Sequence, residues 1–209
     1  MPRNVNRGKG REVAKRVFDV VLTLLSTPIV IPVTVLMAAV LAVELRGNPL
    51  FVQERVGLHG KPFRMWKLRT MRHAMLGEEP DRTVSDWGTF VFTPPGQKDA
   101  RVTRWGEFAR KTSIDELPNL WNVLRGEMSI VGPRPEIPEI VRQYPARYHR
   151  RHDVLPGIAG LAQANGRSDL TYDEIATLDL EYVDHHSLCR DVTILWQTAM
   201  AVVARKGAR

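Results

Sequence analysis

Charged residues vanish from one stretch near the start of this chain: from Val20 to Val43 there are none, a run of twenty-four. Wound as a helix, a run of that length covers a bilayer core of about 30 Å. Pro28 and Pro32 fall near its middle beside Ser26, Thr27 and Thr34. Proline removes a helical hydrogen bond, so the helix is expected to break there. After Gly47-Asn48-Pro49 the period shortens. Leu50-Phe51-Val52-Gln53 and Phe63 to Leu68 alternate around Gly57, Gly60 and Pro62, which predicts a small β-hairpin with Lys67 and Arg69 on one face. Residues 73–100 are polar and rich in Gly, Pro and Asp, with Thr93-Pro94-Pro95-Gly96 as a loop. Helical patterns follow over Val102–Lys111, over Leu117, Leu120, Trp121 and Leu124 up to Gly126, over Pro138–Arg151 and Thr171–Val183, and over Asp191–Arg205. The apolar residues of the last, Ile194, Leu195, Trp196, Met200 and Val203, are closed off by Arg205 and Lys206, which suits a helix lying in a membrane interface with Trp196 at headgroup depth. The pattern predicts a mostly α protein with a small β-hairpin.

Charge sharpens the picture. Thirty Lys and Arg stand against twenty-three Asp and Glu, a net charge of +7, which calls for an anionic partner: nucleic acid, a phospholipid surface or a phosphorylated substrate. The basic residues flank the apolar run on both sides, Arg3 to Arg16 before it and Arg46, Arg55, Lys61, Arg64 and Lys67 after it. The positive-inside rule then asks for both ends in the cytoplasm. A helix that enters, bends at proline and returns to the same face meets both demands; a proline-kinked span is the alternative. The run lacks a small-x-small exit site, so it is not read as a cleavable signal peptide. Cys189 is the single cysteine, which excludes an internal disulfide and fits a cytosol-facing domain. His185, His186 and Cys189 lack the second pair that a zinc site needs, and His149, His152 and Asp153 sit among cations.

Candidate chemistry concentrates in Lys111-Thr112-Ser113-Ile114-Asp115-Glu116-Leu117-Pro118. Ser113 with Glu116 reads as a capping box, placing Asp115 and Glu116 in the first turn of a helix, where free N–H groups and the dipole favour anions. Pro118 lies too deep for that first turn and predicts a kink or a restarted helix. Arg110 stands just upstream, and Arg134 lies between Pro133 and Pro135, which stiffen its backbone. Two adjacent acids beside fixed cations suit chemistry on a phosphate with a divalent metal. The plain alternative is a capped surface helix followed by a Pro-rich turn. The Gly-rich run Pro156 to Arg167 offers N–H groups that can cradle phosphate, yet it matches neither the P-loop nor the dinucleotide fingerprint.

Taken in order, these segments resemble the bacterial sugar transferases, the small monotopic phosphoglycosyl transferases. The resemblance rests on Lys15-Arg16-Val17-Phe18-Asp19, the proline-broken helix, Phe51 to Gly57, Trp66 to Met71, Thr112 to Pro118, Asn122 to Ser129, Val131-Gly132-Pro133-Arg134-Pro135 and Pro156-Gly157-Ile158 through Asn165-Gly166-Arg167. It covers roughly residues 13–205 in the family's order. It implies three segments: a basic 1–16, a re-entrant membrane helix over 17–46, and a catalytic domain over 47–209. Interfacial amphipathic helices would surround that compact core on the cytoplasmic face of a bacterial inner membrane. It implies transfer of a sugar-1-phosphate from a UDP-sugar to undecaprenyl phosphate, with release of UMP and a need for Mg²⁺. That transfer is the first membrane step of polysaccharide or glycoconjugate synthesis. The implied nucleophile is Asp115, with Glu116 as its acidic partner and both as metal ligands. Lys67, Arg69, Arg110, Arg134, Asn165 and Arg167 are the implied phosphate and substrate ligands. The helix-breaking proline maps to Pro32 by its distance to Gly47; Ile31 stands where the family has serine, and Thr27-Pro28 offers a second break. The partners implied are the UDP-sugar, undecaprenyl phosphate and the phospholipid bilayer, with a homodimer left open and no nucleic acid. The competing classes are a non-enzymatic basic membrane-anchored module and a phosphotransferase without a covalent intermediate.

Overall fold

The computed structural model describes residues 5–72, 83–91, 99–166 and 170–203. The segment with the Thr93-Pro94-Pro95-Gly96 loop, and Arg167, lie outside the described residues.

Helix α1 runs from Val5 to Leu45 through both prolines, so the expected interruption is not seen. The reason is local. Pro28 has no N–H for the carbonyl of Leu24, and the Thr27 hydroxyl donates to that carbonyl at 2.6 Å. Ser26 likewise donates to Thr23 O at 2.7 Å. The hydroxyls beside the prolines thus bond within a continuous helix.

Both ends of α1 dock on one body. Upstream, Arg16 donates to the carbonyls of Val123 and Leu124, Lys15 pairs with Asp191 at 2.7 Å, and Asp19 accepts from the Ile130 N–H at 3.2 Å. Downstream, Met37 and Leu41 are buried with Leu68 and Ala109, and Glu44 accepts from the N–H of Trp105. Between these docking points Leu24, Leu25, Ile29, Ile31, Val35 and Leu36 are exposed. The segment Gly10–Leu45 is long and apolar enough to cross a membrane.

The hairpin expected after Pro49 forms from β1 (Leu50–Val56) and β2 (Pro62–Leu68), antiparallel with Gln53 opposite Met65. Helix α2 (Arg104–Thr112) is capped by Thr103, whose hydroxyl accepts from the Gly106 N–H at 3.1 Å. Gly106 is required there, because a Cβ would lie 2.1 Å from the carbonyl oxygen of Thr70. After α3 (Asn119–Arg125) come two short strands the alternation pattern does not reveal. These are β3 (Ser129–Val131) and β4 (Gly157–Ala159), parallel, with Val131 opposite Ala159. Three residues are too few to show a period.

The helix expected over Pro138–Arg151 is divided into α4 (Pro138–Val141) and a 3-10 segment Ala146–Asp153. Pro145 separates them, since it lacks an N–H and disfavours the helical region at Tyr144. Then come α5 (Leu161–Asn165), α6 (Tyr172–His185) and α7 (Leu188–Val203). Thr171 and Glu174 form the capping box of α6. The central core joins Phe63, Met65, Val123, Met128, Val131, Tyr182 and Ile194; a second gathers Val56, Ile140, Tyr144, Tyr148 and Tyr172 under Trp87.

Candidate active site

The two acids are placed by a reversal of the chain rather than by a capping box. Helix α2 ends at Ser113 with φ 57° and ψ 19°, a left-handed conformation few residues other than glycine adopt. Its side chain makes no cap, which corrects the expected Ser113–Glu116 box. Asp115 and Glu116 instead form a single 3-10 turn, Ile114–Glu116, and Pro118 stands before the first residue of α3. A proline there forfeits no helical bond, so the restart expected from it is what occurs.

Glu116 is enclosed by cations. Arg134 grips it as a fork, Nη2 to Oε1 at 2.6 Å and Nη1 to Oε2 at 3.1 Å. Lys67, from β2, donates to Oε1 at 3.2 Å. Such charge-assisted bidentate pairs are the strong ones. Burial pushes the Glu116 carboxyl up, but the charges of Arg134 and Lys67 outweigh it and hold Glu116 well below the usual carboxylate range. Burial and the neighbouring charge of Arg134 in turn lower Lys67 to about 8, against the pull of Glu116 and Asp115.

Asp115, in the same turn, lacks those partners. Among the described residues it has no hydrogen bond or ion pair. Burial and then the adjacent Glu116 charge raise its pKa to about 6, while Lys67, Arg134 and Arg110 pull it down. A half-buried carboxyl with no such partner thus stands beside a carboxylate held by two cations. A hard divalent cation bound by one or two carboxylates together with substrate phosphate oxygens fits this set. Among the described residues no cluster of three or more His, Cys, Asp or Glu exists to hold such a cation by protein alone.

The structure therefore brings Lys67, Arg134 and Arg110 around the acids on β2, on the Pro-rich turn after β3 and on the last turn of α2. Arg69 follows β2; its N–H donates to Pro49 O at 2.6 Å, and its buried Nε has no hydrogen-bond partner among the described residues. Asn165 is elsewhere: its amide donates to Leu161 O at 2.8 Å within α5, which packs on α6 and α7. The glycines of the Pro156–Arg167 run serve close packing. A Cβ on Gly157 would lie 2.0 Å from the Gly132 nitrogen, and the Gly157 N–H is spent on Pro133 O at 2.9 Å. Motif reading misses Arg55, Glu136, Arg151 and Asp179, whose ion pairs flank the Arg134 turn. Their partners lie 81 and 28 residues away, so no local spacing announces them.

The sequence profile of the bacterial sugar transferases matches residues 10–205, and the chain belongs to that family, a family of transferase enzymes. It is 38% identical over 198 residues to EpsL, an uncharacterized sugar transferase of Bacillus subtilis, covering 93% of this chain and 90% of that one. It is 39% identical over 206 residues to the UDP-glucose:undecaprenyl-phosphate glucose-1-phosphate transferase of Caulobacter vibrioides, covering 94% of this chain and 72% of the other. A UDP-galactose-lipid carrier transferase of Erwinia amylovora is 38% identical over 200 residues, but the match spans only 41% of that longer protein.

Proposed function

We propose that this protein transfers a sugar-1-phosphate from a UDP-sugar to undecaprenyl phosphate through a covalent intermediate on Asp115. The observation that carries the reading is the asymmetry of the acid pair: Asp115 is unpaired and poised near neutrality, while Glu116 is fixed to Arg134 and Lys67. The names of the relatives, among them transferases between UDP-glucose and undecaprenyl phosphate, supply the substrate class.

In the first step a carboxylate oxygen of Asp115 attacks the sugar-bearing phosphorus, and the bond to the UMP oxygen breaks. In the second, an oxygen of undecaprenyl phosphate attacks the same phosphorus and the acyl-phosphate bond to Asp115 breaks, restoring the carboxylate. Arg134, Lys67 and Arg110 offset the repulsion between a carboxylate and a diphosphate. Mg²⁺, held by Asp115 and Glu116 with the diphosphate, would neutralise charge on the transferring group.

The membrane arrangement supports the same reading. The acceptor phosphate lies at headgroup depth. Both arms of α1 touch the catalytic body while the apolar middle between them is exposed, which favours a re-entrant helix over a span. Trp105, Phe108, Trp121 and Trp196 are also exposed, as side chains resting in the interface would be.

The test is direct. Purified protein incubated with a panel of UDP-sugars and undecaprenyl phosphate should release UMP with one or a few of them. With the UDP-sugar alone, digestion should give a peptide carrying the sugar phosphate on Asp115. An adduct on Glu116, or normal turnover with no adduct at any time, would overturn the covalent route.

A further inference from the structure

The turn that carries Arg134 cannot hold itself. Pro133 and Pro135 have no N–H, so the segment 133–136 has few internal donors with which to fix its shape. Its four successive carbonyls are each taken by a donor from outside. Gly157 N donates to Pro133 O at 2.9 Å, and Val56 N to Glu136 O at 2.9 Å. Between them, Arg151 Nη2 donates to Arg134 O at 3.1 Å and Arg55 Nη1 to Pro135 O at 3.2 Å. The two middle clamps are guanidinium groups, and each is backed by its own acid. Arg151 pairs with Asp179 at 2.7 Å and Arg55 with Glu136 at 3.2 Å.

Arg151 is the more telling of the two. Its side chain is 4% exposed and Asp179 is 1% exposed, a costly pair to bury. Its Nη1 donates to the hydroxyls of both Tyr144 and Tyr172 at 2.5 Å. Its remaining contact ends on the main chain of the one residue whose fork holds Glu116.

We propose that Arg151 and Arg55 are positioning residues that fix the Pro133-Arg134-Pro135 backbone so that the Arg134 guanidinium is presented to the substrate diphosphate. The proposal rests on the transferase reading given above. Both act through Arg134, so their effects must not add to those of changing Arg134 itself.

The experiment is a double-mutant cycle on kcat/KM for the UDP-sugar, with melting temperature and circular dichroism followed in parallel. Arg151→Gln should lose about tenfold or more in kcat/KM, chiefly through KM, in protein that remains folded. In an Arg134→Lys background the same change should cost less than about twofold. Arg55→Gln, at a less buried site, should follow the same pattern and decides the matter if Arg151→Gln does not fold. Additive losses, or losses confined to kcat, would overturn the proposal. If the wild-type protein releases no UMP from any UDP-sugar, the transferase reading falls separately. Positioning is then judged by the Arg134 Nε–H resonance, identified by its loss in Arg134→Lys. A signal sharp in the wild type and broadened in Arg151→Gln (or, if that variant does not fold, in Arg55→Gln) supports positioning, and one that does not change refutes it.

Discussion

Asp115 and Glu116 are consecutive residues with opposite surroundings, and that difference sets the pH behaviour. On the proposed covalent route Asp115 must be ionised to attack, and its pKa is raised to about 6 by burial and by Glu116. Lys67 must be protonated to hold Glu116, and its pKa is lowered to about 8 by burial and Arg134. The profile of kcat/KM against pH should therefore be a bell, falling below about 6 and above about 8. An acid limb near the ordinary aspartate value would count against Asp115 as the attacking group. The same shift has a consequence for stability. A carboxyl whose folded pKa exceeds its unfolded value stabilises the fold only when protonated, and that contribution is lost as pH rises towards the folded pKa. Above about 6 the ionised Asp115 costs stability. Asp115→Asn should abolish UMP release and the adduct, yet raise the melting temperature at neutral pH by about 2 °C or more. Arg134→Lys should lower kcat/KM for the UDP-sugar by at least about tenfold, because a lysine cannot replace a two-pronged guanidinium. Wild-type rates in that variant would leave Arg134 as a turn residue.

At the scale of elements, α1 is the part whose sequence and structure most need each other. Both prolines remain inside a continuous helix, and at Pro28 the Thr27 hydroxyl takes over the carbonyl that the proline leaves without a donor. Its two arms are fixed by different means, ionic and polar contacts near Lys15, Arg16 and Asp19, apolar packing near Met37 and Leu41. If the helix is re-entrant, cysteines placed at Arg11 and at His59 in a Cys189→Ser background should both react only from the cytoplasmic side. Labelling of either one from the opposite side would establish a span. Replacing Pro28 and Pro32 together by alanine supplies the two missing hydrogen bonds and should shift some of the population to that spanning form.

Across the whole molecule, the first helix is fastened to the last. Lys15 of α1 donates to Asp191 of α7, which is wholly buried and also accepts from the Tyr182 hydroxyl at 2.7 Å. The Tyr182 hydroxyl oxygen also lies 3.0 Å from Val131 O, so α1, β3, α6 and α7 meet at one polar knot inside the central core. Removing one partner from a buried pair leaves the other charge uncompensated, which costs about 3 kcal/mol or more. Lys15→Met should therefore lower the melting temperature by roughly 6–12 °C. Adding Asp191→Leu to that variant should recover part of the loss, and a single variant as stable as the wild type would show that the knot contributes little.

Much of this protein is written locally. The apolar run, the hairpin between Leu50 and Leu68, the restart at Pro118 and the capped start of α6 follow from periodicity, proline and capping chemistry, because each depends on residues within a few positions. The motif order was enough to identify the family, and Lys67, Arg110 and Arg134 do gather at the acid pair. Other features needed the folded chain. The left-handed Ser113 stands where a capping box was expected, at a reversal between α2, whose Ala109 packs on Met37 and Leu41, and α3, whose Val123 lies in the central core. The pairing of β3 with β4 depends on two glycines twenty-five positions apart, Gly132 and Gly157, meeting face to face. The difference in surroundings between Asp115 and Glu116 was also decided in three dimensions. Adjacent carboxyls look alike in a sequence, and only the approach of Lys67 and Arg134 from distant elements makes one a fixed counter-ion and leaves the other unpaired.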